Sequence, residues 1–157
     1  MRLVPIYHEP NTSKKHPQHK IWPYLLRNVV IDWPNQVWCA DITYIPMRRG
    51  VLYLVAIMDW YSRKILAWRL SNSMDAKVKI SMDGKGRWID NRMIERLWRS
   101  LRYECVYLHA FERGSEAKAG IRKWLEYYNA ERPHSTHAIL TPDKAYARKT
   151  EPMRLAA

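Results

Sequence analysis

Two carboxylates stand where their neighbours give little reason for them. Asp41 lies in the middle of Gln36-Val37-Trp38-Cys39-Ala40-Asp41-Ile42-Thr43-Tyr44-Ile45, a β-branched and aromatic stretch in which Asp is disfavoured. A carboxylate there is either exposed at a sheet edge or kept for chemistry. Glu95 sits among Arg92, Arg96, Arg99 and Arg102. It is either the solvated i,i+4 partner of Arg99 or a second ligand. A strand Asp and a helix Glu beside a basic face suit a site for Mg²⁺ (or Mn²⁺) acting on phosphodiesters, because hard divalent cations take oxygen ligands and stabilise charge on phosphate oxygens.

The charge balance points the same way. Lys and Arg number 27 against 15 Asp and Glu, a formal charge of +12, which suits a polyanion, usually nucleic acid. A merely basic, solvated surface is the plainer alternative. Eight Trp and ten Tyr stand against one Phe; such rings can stack on bases, although most are expected to fill the core. Other classes fall away. Cys39 and Cys105 have no CxxC spacing and read as two buried thiols in a reducing compartment. His16 and His19 have no second ligand pair nearby. The longest apolar run, Val51 to Met58, ends at Asp59, too short to cross a membrane. Residues 1–9 lack the apolar stretch of a signal peptide, so a cytoplasmic, nucleoid-associated protein is expected.

The elements that must position these residues follow from hydrophobic period. At 157 residues and 47% hydrophobic composition, the chain can bury one core. Residues 1–35 carry Pro5, Pro10, Pro17, Pro23 and Pro34 and read as an extended basic lead-in. Strands are expected over 36–45, over Val51–Met58, whose unbroken apolar run suggests burial on both faces, and over 64–70. Short loops at Arg48-Arg49-Gly50 and Trp60-Tyr61-Ser62 would join them as an antiparallel meander. Val78–Met82 reads as a further short strand. Asp90 or Asn91 can cap a helix in which Met93, Ile94, Leu97, Trp98, Leu101, Cys105 and Leu108 share one face, while Arg92, Glu95, Arg96, Arg99 and Arg102 share the other. Further helices are expected over 115–129 and 142–148.

Longer strings make the reading specific. Val37-Trp38-Cys39-Ala40-Asp41-Ile42-Thr43-Tyr44-Ile45-Pro46, Tyr53-Leu54-Val55-Ala56-Ile57-Met58-Asp59 and Ser62-Arg63-Lys64 resemble the opening of a retroviral-integrase-like transposase core. Asp90-Asn91-x-x-x-Glu95-Arg96-x-x-x-x-Leu101-Arg102-x-Glu104 looks like the helix carrying that family's catalytic Glu. Tyr128-Asn129-x-x-Arg132-Pro133-His134 and Thr141-Pro142 resemble its C-terminal signature. The resemblance runs from about residue 3 to 148, to the catalytic subunit of a bacterial insertion-sequence transposase with a DDE active site.

That resemblance implies an α/β fold, a ribonuclease-H-like mixed sheet with flanking helices. It implies two divalent ions held by three carboxylates, and DNA (transposon ends and target) as partner. Asp41 matches the first carboxylate and Glu95 the third, as catalytic and metal-binding residues. Arg102 matches a residue expected on the DNA backbone, with Arg92, Arg96 and Arg99 beside it. The second carboxylate has no match. Its string, expected about 35 residues before the Glu, is absent, and the loss falls at residues 76–78, taking the fourth strand and adjacent helices. His137-Ala138-Ile139 departs from the expected Leu-Gly-Gly, and the upstream helix-turn-helix region is missing. Asp59, Asp75 and Asp83 remain in the interval, but each falls in a string matching another part of the family pattern, and a metal site tolerates little misplacement. The expected organisation is a lead-in over 1–35, a deleted core over 36–132 and a tail over 133–157. The expected function is a transposase catalytic domain defective in cleavage and strand transfer. The competing reading is a non-enzymatic basic remnant that binds DNA or joins itself or full-length transposase, with no membrane partner.

Overall fold

The computed structural model describes Leu26, residues 28–73 and residues 88–148, with 88–91 described by backbone only. Three strands form an antiparallel meander in the order β1-β2-β3: β1 (Trp38–Pro46), β2 (Val51–Asp59) and β3 (Ile65–Ser71). The Arg48-Arg49-Gly50 turn closes with Met47 N–H donating to Gly50 C=O at 3.1 Å. Gly50 adopts φ +87° there, a conformation that a residue without Cβ takes without strain. Among the described residues β1 pairs only with β2, leaving its other edge open. The expected strand at Val78–Met82 lies outside the described residues, as do Asp75 and Asp83.

Alternation decides which face of the sheet is buried. Along β1, Cys39, Thr43 and Ile45 are buried and Tyr44 is exposed. Along β2, Leu54, Ala56 and Met58 are buried, whereas Tyr53, Val55 and Ile57 are half-buried. The expectation that β2 is buried on both faces is therefore corrected. Helices cover one face of this sheet among the described residues, so its apolar run is buried by alternation.

The helical layer begins with α1 (Trp88–Leu101), two residues ahead of the expected cap at Asp90 or Asn91. It continues through a π-helical stretch, Arg102–Val106, into the short α2 (Tyr107–His109). Ile94, Leu97, Trp98, Leu101 and Cys105 are buried as the 3.6-residue period requires, but Leu108 is 72% exposed. The π turn is the reason: one extra residue in the turn advances the phase, so Val106 enters the core and Leu108 leaves it. Helix α3 (Gly114–Ala130) buries Ala117, Ile121, Trp124, Leu125 and Tyr128, and α4 (Pro142–Ala147) starts on a Thr141 cap. Both cysteines are buried and free.

The C-terminal signature clamps these layers together. Asn129 accepts from Ile65 N–H at 3.0 Å through Oδ1 and donates to Ile65 C=O at 2.9 Å through Nδ2. It thereby satisfies both backbone groups at the start of β3. Arg132 pairs with Glu104, which also accepts from Trp124 Nε1 at 3.2 Å. His137 Nε2 meets Tyr61 C=O at 2.6 Å. Lys64 Nζ pairs with Asp143 at 3.0 Å, fixing α4 to the β2–β3 turn.

Candidate active site

Asp41 and Glu95 line one cleft of about 550 Å³ between β1 and α1, with Thr43, Trp98, Arg99 and Arg102. Strand period explains half of this. Asp41 and Thr43 are two apart, so both side chains leave β1 on the side facing α1. Helix period explains the rest: Glu95, Trp98 and Arg99 on α1 and Arg102 at the start of the π-helical stretch recur at three and four residues on one flank.

Two side-chain bonds hold the walls in register. The Trp98 indole N–H donates to Asp41 Oδ2 at 3.0 Å, and the Arg102 guanidinium donates to Thr43 Oγ1 at 2.7 Å. Trp98 is 4% exposed, so the orientation of its donor is fixed by packing. Neither Trp98 nor Thr43 stood out as a site residue in the sequence. The available signals were the i+2 spacing of Thr43 from Asp41 and the i+3 spacing of Trp98 from Glu95. Among the described residues, Glu95 is exposed and no ion pair joins it to Arg99.

The four expected arginines divide. Arg99 and Arg102 line the cleft. Arg92 and Arg96 are exposed on α1 and do not line it. Arg102 is half-buried rather than outward-facing, since its guanidinium reaches across to Thr43.

Asp59 is no substitute ligand. It is fully buried at the far end of β2 and opposite Trp38, whereas Asp41 faces Ala56, a separation of roughly 10 Å along the strand. Its oxygens accept from Asn35 N–H at 2.7 Å and from Ser62 N–H and Oγ at 2.8 and 2.6 Å. This carboxylate therefore shapes the β2–β3 turn. Cys39, on β1 two residues before Asp41, has its thiol pushed up to about 11 by burial and donates to Met58 C=O at 3.6 Å, so it stays protonated. Among the described residues no group of three or more His, Cys, Asp or Glu gathers to hold a metal ion. Asp41 and Glu95 are hard oxygen donors in one cleft and fit a single Mg²⁺, which can be held by one or two carboxylates. Among the described residues no helix is long and apolar enough to cross a membrane.

Comparison with known proteins bears on the family. Two family models, both described as an integrase core domain, match the chain over residues 32–83 and 76–142. The chain is 31% identical over 145 aligned residues to the transposase for insertion sequence element IS904 of Lactococcus lactis subsp. lactis (strain IL1403), covering 65% of this chain and 57% of the relative. It is 26% identical over 154 residues to transposase InsF for insertion sequence IS3A of Escherichia coli (strain K12), covering 71% and 54%. It is 27% identical over 152 residues to the insertion element IS600 uncharacterized 31 kDa protein of Shigella sonnei, covering 69% and 56%. The chain thus spans little more than half the length of these relatives. In the IS904 match, 65% of 157 residues is about 102, so about 43 of the 145 aligned positions face no residue of this chain. No solved structure matches.

Proposed function

Because the chain belongs to the integrase-core family of insertion-sequence transposases, we propose that its cleft is a transposase site built for DNA phosphodiesters and left one carboxylate short. The observation that carries this reading is the convergence of Asp41 and Glu95 in a cleft that also contains Arg99 and Arg102. The 43 unmatched positions support an internal loss. So does the handover between the two integrase-core matches, which falls within residues 76–83.

Each residue has a role that its chemistry permits. Arg99 and Arg102 bind the DNA backbone through charge-assisted bonds to phosphate oxygens. Thr43 aims Arg102, and Trp98 orients Asp41. Asp41 and Glu95 would hold one Mg²⁺ or Mn²⁺, which when bound supplies Lewis-acid polarisation of a phosphate oxygen. Two close divalent ions repel strongly, and two carboxylates neutralise only half of their charge. The chain therefore binds DNA and fails at cleavage and strand transfer, which need both attacking and leaving oxygens stabilised.

The test uses the purified chain, Mg²⁺ or Mn²⁺, and a labelled transposon end bearing a free 3′-hydroxyl. Binding without nicking or joining is expected. Efficient joining that Asp41→Asn abolishes would show that the cleft is complete.

A further inference from the structure

Beside the carboxylates the cleft has an aromatic wall with no structural task of its own. Tyr103 and Tyr107 both line it, and they remain 64% and 56% exposed. Their rings meet edge to face, with centroids 5.5 Å apart. In a continuous α-helix, residues 103 and 107 lie on the flank away from the core. Here they lie on or beside the π turn, a distortion that recurs at functional sites, and they line the cleft together with Arg99 and Arg102. A large ring left in water beside guanidinium groups is the arrangement that single-stranded nucleic acid recognition uses. Cations follow the backbone, and rings stack on bases irrespective of sequence.

We propose that Tyr103 and Tyr107 form a stacking platform for unpaired nucleobases at the end of a DNA duplex, so that the cleft takes a frayed rather than a fully paired end. This rests on the reading of the cleft as a DNA site and deepens it. Arg99 and Arg102 hold the phosphates of the strand whose bases leave the duplex. Tyr103 supplies a face next to Arg102, and Tyr107 braces it edge-on. A duplex base pair already stacked on its neighbour has no free face to offer, so the platform discriminates by pairing state and not by sequence.

The experiment compares the full chain's affinity for a blunt duplex with that for the same duplex carrying a short single-stranded overhang, in which one base is 2-aminopurine. The overhang is expected to improve affinity about tenfold, since each stacked base contributes on the order of a factor of ten, and to quench the 2-aminopurine. Tyr103→Ala with Tyr107→Ala should erase both effects, so that the overhang duplex binds no better than the blunt one. Tyr103→Phe with Tyr107→Phe should keep both, because the ring and not the hydroxyl is required. Blunt-duplex binding without overhang preference, or a preference that survives the double alanine variant, overturns the platform and leaves the DNA reading standing. Absence of binding to either DNA overturns both. Tyr103- and Tyr107-dependent self-association in sedimentation, with no overhang preference, identifies the wall as a protein interface and also overturns the platform.

Discussion

The Trp98 indole donates to the Asp41 carboxylate at 3.0 Å, and this bond ties β1 to α1 one turn after Glu95. A donor on a buried ring cannot follow the carboxylate if it swings. Trp98→Phe keeps most of the packing and removes the donor. It is expected to lower unfolding free energy by about 1.5–3 kcal/mol, the range for a hydrogen bond to a charged group, and to weaken Mn²⁺ binding. Urea denaturation and Mn²⁺ titration measure the two effects. In Asp41→Asn the same Trp98 change should cost markedly less.

Asn129 satisfies both the N–H and the C=O of Ile65. Asn129→Leu strands both groups at the start of β3, and each lost partner costs about 1–3 kcal/mol. A loss of about 2–5 kcal/mol in urea denaturation is expected. Arg148→Ala, at the end of α4, should change little.

His134 carries the stability change expected at low pH. Its ring packs against Tyr128 with centroids 5.0 Å apart, and its Nε2 is buried without a partner. Burial, together with Arg132, His137, Arg63 and Arg96, lowers its pKa from 6.5 to about 4. The unfolded chain then binds a proton that the folded chain refuses between these values, so stability is full above pH 6.5 and falls toward pH 4. His134→Gln should flatten this part of the profile, as read by thermal unfolding at a series of pH values.

Gly120 faces Phe111 so closely that a Cβ would lie 2.7 Å from two ring carbons. Alanine ordinarily gains about 1 kcal/mol over glycine inside a helix. Overpacking a buried ring costs typically 1–3 kcal/mol, so Gly120→Ala is expected to destabilise on balance. Phe111→Leu combined with Gly120→Ala should recover part of the loss, as a double-mutant cycle reports.

DNA affinity should fall steeply with salt through counterion release, and Arg99→Ala with Arg102→Ala should weaken binding for all sequences alike. Removing two phosphate contacts reduces the log–log salt slope by about 2. Fluorescence anisotropy across a salt series measures it. An unchanged slope would move the DNA contacts to Arg92 and Arg96.

Much of this was legible in sequence, for reasons that particular residues make plain. The meander was readable because Pro46, Gly50 and Ser62 punctuate runs of β-branched and aromatic residues, and α1 because Ile94, Leu97, Trp98 and Leu101 keep one period. Leu108 was misplaced because nothing in the local sequence announces a π turn. The half-exposure of Val55 and Ile57 depends on which helices cover the sheet, a tertiary fact that an apolar run does not encode. Asp41 and Glu95 could be singled out by type and context. Trp98 and Thr43 could not, because an indole on a core face looks like core until the direction of its N–H is known.

The most direct measurement restores what the chain lacks. The segment that the family resemblance implies is missing would be inserted between Ala76 and Val78, and joining of a preformed end with a free 3′-hydroxyl assayed with Mg²⁺ and Mn²⁺. The restored protein should join strands while the original does not, and Asp41→Asn or Glu95→Gln in the restored protein should abolish joining, because each removes a charged ligand while keeping its shape. A folded, DNA-binding restored protein that stays inactive, or activity indifferent to Asp41→Asn, would contradict the account of a transposase site short of one carboxylate.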